Sequence, residues 1–199
     1  MLLTTAYLPP IEYFALLAKY SVVYVEACET YQKQSWRNRC RILTANGPQD
    51  LNVPVVHENG TFHLPITQIK VDYSTPWVLR MQRAIESAYY SSPFFVYYRD
   101  ALFDIMDSRP ETLWELNSRL TTWLCGRLGI APEIRATEDF SPEPPMDIHP
   151  KHPNTILRDL GLDRPYWQVF RERYGFVGGL SVIDLLFNEG PESICWLVN

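Results

Sequence analysis

Between positions 31 and 42 the chain reads Tyr31-Gln-Lys-Gln-Ser-Trp-Arg-Asn-Arg-Cys-Arg-Ile42. Lys33, Arg37, Arg39 and Arg41 thus stand beside Tyr31, Trp36 and Asn38 in a protein whose formal net charge is -5. A solvated segment has no need of two large aromatics among its charges, and a core strand does not hold four cations, because a buried charge without a partner is costly. The combination points to a site for an anion. Extended backbone repeats every two residues, so Arg37, Arg39 and Arg41 are predicted on one face, with Trp36, Asn38, Cys40 and Ile42 on the other. Arginine presents planar forked donors that contact phosphate or carboxylate bidentately. The competing reading is that the row faces water or pairs with the chain's own acids.

The elements that must position these residues follow from the flanking pattern. Apolar residues over 2–5, a helical repeat of Ile11, Phe14, Leu17 and Ala18 with Pro10 in its first turn, and a β-rich run over 22–25 predict a βαβ unit. Functional groups collect at the carboxyl ends of such strands, and Tyr7 and Glu26 lie just past the two ends. Tyr7 and either Glu26 or Glu29 are therefore expected on the rim of the same pocket, the acids as proton acceptors. Turns at Ala45-Asn-Gly-Pro48 and Asn59-Gly60 predict a β-meander with strands over 39–44, 51–56 and 62–71; Pro54 and Pro65 assign their strands to an edge or a bulge.

From position 74 the pattern turns helical. The first helix is expected to be capped by Ser74 or Thr75, with Trp77, Met81, Ala84 and Ala88 on its buried face. Pro93 opens a second with Phe94, Tyr98, Leu102 and Ile105, and a third runs over 111–128 with Leu113, Leu116, Leu120 and Leu124 inward and Gly129 as its stop. A strand over 134–137 follows, then five prolines in the thirteen residues 141–153, then an apolar run over 180–187 with Ser181 as cap. The predicted class is α/β or α+β: a β-rich part, 1–73, packs on a helical part, 74–130. The proline-rich loop 141–153 and a tail, 154–199, wrap around them in a single domain.

Several function classes lack support. A net acidic chain does not present the broad basic surface that nucleic acid requires, and no apolar run reaches the length of a membrane span. Cys28, Cys40, Cys125 and Cys195 have neither metal-ligand nor disulfide-framework spacing, so reduced thiols and a cytoplasmic location are expected. Cys28 stands beside Glu26 and Glu29, which disfavours its thiolate. His149 and His152, with Asp147 nearby, lack the register that converges two rings on a metal, so no metal is assigned and Lys151 with the histidines reads better as an anion contact. Tyr89, Tyr90, Tyr97 and Tyr98 fit core spacing better than a cofactor box, and Asp184 sits either on an exposed stripe or with a partner. No GxGxxG, Walker A, GxSxG or HExxH pattern is present, and the sequence leaves the cofactor unknown.

The order Tyr7-Leu-Pro-Pro, Glu12-Tyr-Phe14, Tyr31-x-Lys33-x-x-Trp36-x-Asn38-Arg39-x-Arg41-Ile42, Val53-Pro-Val55, with helices ending near Leu128-Gly-Ile130, resembles the WbqC-like protein family over most of the chain. Members usually begin His-Gln-Pro-x-Tyr-Leu-Pro where this chain has Leu3-Thr-Thr-Ala-Tyr-Leu-Pro9. They tend to carry an Asp-Asp pair where it has Glu26-Ala-Cys-Glu29, so neither the histidine nor the pair carries over. The resemblance implies a part in O-antigen or other cell-surface polysaccharide pathways. Together with the basic cluster it gives two readings. In one, a group transferase acts on a nucleotide sugar or related phosphorylated metabolite, with Tyr31, Lys33, Trp36 and the arginines holding it. In the other, a non-catalytic scaffold uses the same patch for an anionic ligand. The sequence sets no oligomeric state.

Overall fold

A computed structural model describes residues 1–57, 64–141, 145–146, 148–151 and 154–198. The chain opens with the expected βαβ unit: β1 (Leu2–Leu3), α1 (Ile11–Lys19) and β2 (Val22–Val25), with β1 and β2 parallel and Leu3 opposite Val25. Pro10, which has no N–H to leave unsatisfied, stands at the N-cap of α1. Every residue from Ile11 to Leu17 is buried, so α1 is a core helix rather than an amphipathic one. Glu12 is the one charged residue in that run.

The meander is shorter than expected. β3 (Arg39–Thr44) and β4 (Gly47–Asn52) form a hairpin around Ala45 and Asn46, with β4 starting at Gly47, where φ of 99° suits glycine. No third strand extends it among the described residues; Val55 meets Val71 in a single bridge, and Ile66–Gln68 tightens into a 3-10 turn instead. Pro54 and Pro65 cannot donate to a ladder at the points where pairing would continue. Asn59, Gly60 and Phe62 lie outside the described residues.

Three helices follow: α2 (Trp77–Tyr89), α3 (Phe95–Asp107) and α4 (Leu113–Leu128). Pro76, not Ser74 or Thr75, occupies the N-cap of α2, and the Ser74 N–H donates to the Asp72 side chain at 2.8 Å. Phe94 caps α3, which turns its buried stripe to Phe95, Leu102, Phe103 and Met106. α4 has an N-cap at Thr112, whose hydroxyl accepts from the Glu115 N–H, and stops at left-handed Gly129. Its leucines 113, 116, 120 and 124 are fully buried, each contributing about 1.5–3 kcal/mol of burial.

β5 (Glu133–Ala136) then pairs in parallel with β2, giving a sheet of order β1, β2, β5. The fold is thus of the α/β or α+β class. The tail carries two short helices, α5 (Ile156–Asp159) and α6 (Arg171–Tyr174), then α7 (Val182–Glu189), capped by Ser181, and a 3-10 segment, Gly190–Trp196. Leu3, Phe14, Ile42, Ile85, Leu120 and Phe187 belong to one apolar cluster, so tail, hairpin and sheet share a core. No described helix is long and apolar enough to cross a membrane.

Candidate functional site

The arginine row is divided by the point at which β3 begins. Arg37 precedes the strand and turns inward: it is 1% exposed, and its Nε and Nη2 donate to the two oxygens of Glu29 at 2.9 and 2.6 Å. Its carbonyl accepts from Asn117 Nδ2 of α4 at 2.8 Å. Arg37 and Glu29 therefore tie the loop after β2 to the hairpin and α4. Both oxygens of Glu29 are thus engaged by a buried guanidinium, and Arg37 faces Glu29 rather than the side of the hairpin that carries Arg39 and Arg41.

Arg39 and Arg41 do share a face. Antiparallel register puts Arg39 opposite Asn52 and Arg41 opposite Asp50, and directly opposed side chains lie on one side of the sheet. Arg39 donates to Asn52 Oδ1 at 2.8 Å and to Asp50 at 3.2 Å; Arg41 donates to both Asp50 oxygens at 2.7 and 3.3 Å. Two guanidinium groups on one carboxylate leave an excess positive charge. Cys40, Ile42 and Leu51 take the opposite, buried face. Trp36 is also buried, and the Arg41 guanidinium lies over its ring at 5.5 Å. Asn38 braces the backbone, donating to the Val53 carbonyl at 2.8 Å. Tyr31 is buried beside it, its hydroxyl pushed up by burial against the opposing effect of Arg39 and Arg37. Lys33 is exposed.

Two further expectations change. Tyr7 is not on a rim but wholly buried, its hydroxyl donating to Met81 Sδ at 2.6 Å and held well above the ordinary range by burial. Glu26 is likewise wholly buried. Its oxygens accept from the Cys28 N–H at 2.9 Å, the Thr137 hydroxyl at 2.8 Å and the Ser141 N–H at 3.2 Å, so it fastens the end of β2 to the end of β5. Both sit where the strands end, as the βαβ reading requires, but the core closes over them.

A concavity lies beside Trp36, just ahead of the hairpin. Trp36 and Arg41 line a cleft of about 290 Å³ with His149, Lys151, Glu12 and Asn154. The Arg41 carbonyl accepts from the Ser181 N–H at 2.7 Å, which locks the hairpin to the start of α7. Lys151 donates to Gln34 Oε1. Glu12 is 8% exposed. Burial pushes its carboxyl up, against the help of its own backbone N–H and the Asn154 side chain, and its Oε2 makes no hydrogen bond to a described residue. Glu12, Asn154 and Gly179 also line an adjoining cavity of about 170 Å³, walled by Tyr166, Phe176 and Trp196.

Asp184 proves to be partnered. It is buried in α7 and accepts from Tyr166 at 2.7 Å, Tyr89 at 2.9 Å and Gln168 at 3.0 Å; burial pushes its carboxyl up to about 6. Tyr166, which walls the smaller cavity, is thereby fixed. Tyr90 and Tyr97 are exposed and Tyr98 packs against the core. Among the described residues no group of three His, Cys, Asp or Glu side chains could hold a metal; Asp147 and His152 lie outside them.

Of the residues singled out from the sequence, Trp36, Arg41, His149 and Lys151 line the cleft. Glu12, Asn154 and the aromatic wall escaped the sequence reading. For Glu12 the available sign was an acid inside a helix whose remaining residues up to Leu17 are apolar or tyrosine; for the wall there was none, because its members are joined only by the tail's path.

The chain belongs to the WbqC-like protein family, whose model matches residues 5–149. It is similar to "Uncharacterized protein Rv1507c" of Mycobacterium tuberculosis, 32% identical over 214 aligned positions that cover 94% of this chain and 92% of that protein. No solved structure gives a significant match. The family match runs from Thr5, just past β1, to His149 and so takes in Glu12, Trp36 and Arg41, whereas the aromatic wall lies beyond it.

Proposed function

We propose that the protein takes part in cell-surface polysaccharide biosynthesis and binds a phosphorylated sugar, such as a nucleotide sugar, in the cleft over Trp36. The observation that carries this reading is the convergence of Arg41, stacked on Trp36, with Lys151 and His149 on one cavity of about 290 Å³. Cations fixed by stacking and by a shared carboxylate suit phosphate oxygens, and a planar indole suits the face of a sugar. The association of the WbqC-like family with polysaccharide biosynthesis genes supports the pathway. In the transferase form of the reading, a group is moved to or from an amine or hydroxyl of that sugar. Glu12 lines the cleft with its carboxyl raised by burial, whereas the oxygens of Glu26 and Glu29 are engaged within the chain. Tyr31, Lys33, Asn38 and Arg39 then support the cleft from the hairpin side.

A thermal-shift and turnover screen of nucleotide sugars with acyl and aminoacyl donors tests it, since a ligand that binds the native state raises the melting temperature. Stabilisation by a phosphorylated sugar that is lost in Arg41→Ala is expected. No stabilisation by any phosphorylated sugar overturns the reading. Stabilisation without turnover by any donor selects the other reading, a non-catalytic scaffold for the same anionic ligand.

A further inference from the structure

We infer that the smaller cavity is a nucleobase pocket, so that the joined cavities take a nucleoside diphosphate: phosphates on Arg41 and Lys151, ribose hydroxyls on Glu12 and Asn154, base against Phe176, Tyr166 and Trp196. The inference rests on the phosphate-cleft reading above and adds the part of the ligand that reading leaves unplaced.

Three observations carry it. The cavities adjoin, sharing Glu12, Asn154 and Gly179 in their linings, and their volumes of about 290 and 170 Å³ suit a ligand with a large polar end and a smaller flat one. Together they fall within the roughly 300–1,000 Å³ of small-molecule sites. The character changes across the waist. One side presents Arg41, Lys151 and His149. The other presents an aromatic box in which Tyr166 meets Phe176 edge to face at 5.2 Å and Trp196 at 6.4 Å, while Arg164 lies over the Trp196 ring at 5.6 Å. Aromatic faces and a guanidinium plane are the platform on which a base stacks, and stacking tolerates any base.

The third observation is the waist itself. Glu12 is more than nine-tenths buried, and one of its oxygens has no hydrogen-bond donor among the described residues, an arrangement that costs free energy unless a ligand supplies the donor. A carboxylate between a phosphate site and a base pocket is where the vicinal hydroxyls of a ribose fall, and those hydroxyls are donors. Asn154 beside it, whose Oδ1 accepts from the Ile156 N–H at 3.2 Å, has amide donors for the carboxylate and for the same sugar. The box is also fixed in place: the Tyr166 hydroxyl that orients its ring is held by Asp184, and Gln168 bonds both Asp184 and the Val177 carbonyl, which anchors the segment carrying Phe176 and Gly178.

Calorimetric titration of the full chain with inorganic pyrophosphate and with uridine, guanosine, adenosine and thymidine diphosphates tests this. At least one nucleoside diphosphate is expected to bind ten times more tightly than pyrophosphate. In Phe176→Ala and in Glu12→Gln the ratio of the two affinities should fall toward one. Phe176 is 43% exposed, so its truncation is compatible with a folded protein, which a melting curve checks. Leu162→Trp, which fills the box from its lining, should abolish the ratio as well. If pyrophosphate binds and no nucleoside diphosphate binds more tightly, or if the ratio survives the filled box, the base pocket is overturned while the phosphate cleft stands. If neither pyrophosphate nor any diphosphate binds, the phosphate cleft itself is overturned.

Discussion

Glu29 and Glu12 are buried to nearly the same depth, 5% and 8% exposed, and their surroundings give them opposite tasks. Glu29 faces a guanidinium that occupies both its oxygens. Among the described residues Glu12 has its own backbone N–H and Asn154 for support and keeps one oxygen without a hydrogen bond, and its carboxyl is raised by burial. Asp184 lies between them in kind: three neutral donors satisfy it, and among the described residues no cation offsets its burial. A buried carboxylate that is fully paired is architecture, whereas one left short of donors beside a cleft is where a ligand completes the bonding.

The largest effect should come from breaking the paired end of this comparison. Glu29→Gln leaves the Arg37 guanidinium buried without its counter-charge, and Arg37→Ala does the same to Glu29. Each is expected to cost about 3–5 kcal/mol in urea unfolding. A loss below about 1 kcal/mol in either would mean that water or a neighbouring group takes over, and that the pair is not the clamp between the loop after β2 and α4.

Asp184 sharpens the comparison through pH. Its folded-state carboxyl titrates near 6, above the ordinary 3.8, so between those values the folded chain holds a proton that the unfolded chain has released. The stabilisation is fully present below about 3.8 and is lost as pH rises through about 6, amounting to about 3 kcal/mol. Asp184→Asn cannot titrate. The stability of the natural chain relative to this variant should therefore fall by about that amount from pH 4 to pH 7; a flat difference would show that the three donors offset burial completely.

What could be read in the sequence divides along the same line as these carboxylates. The βαβ unit, the hairpin turn at Asn46, the leucine stripe of α4 and the stop at Gly129 are local patterns, legible because each depends on residues a few positions apart. The arginine row was legible as a cluster but not as a geometry. A period of two holds only inside a strand, and β3 begins at Arg39, so Arg37 leaves the row for Glu29. The place of Tyr7 and Glu26 at strand ends was predictable. Their closure by Met81 and by Thr137 was not, since those partners are 74 and 111 residues away. Asp184 in an apolar run declared that it had partners or exposure, but not that Tyr89 and Tyr166 would supply them.

Glu12→Gln tests the underpaired end. Burial disfavours the charged form of Glu12, so the folded chain gains when the group is neutral, and the neutral amide should cost less than about 1 kcal/mol at pH 8 where Glu29→Gln costs several. Matched urea curves for the two variants decide it. Equal losses would erase the distinction between them and place Glu12 among the structural pairs.

The smallest effect is expected at Arg39, whose side chain is 21% exposed and whose bonds run to Asp50 and Asn52 across the hairpin. Arg39→Lys keeps the charge and removes the fork. Partly exposed pairs contribute little, so stability should change by less than about 1 kcal/mol. Arg39 does not line the cleft, and pyrophosphate affinity should stay within about twofold, a change of roughly 0.4 kcal/mol. Arg41→Lys is the matched contrast: it loses the stack on Trp36 and the bidentate hold on Asp50 that aim the group at the cleft, and charge-assisted bonds of that kind carry about 1.5–3 kcal/mol. Titration of both variants with pyrophosphate should separate them by about tenfold or more. Equal weakening by the two would extend the anion site along the whole hairpin face, making Asp50 a competitor for the arginines rather than the group that presents them.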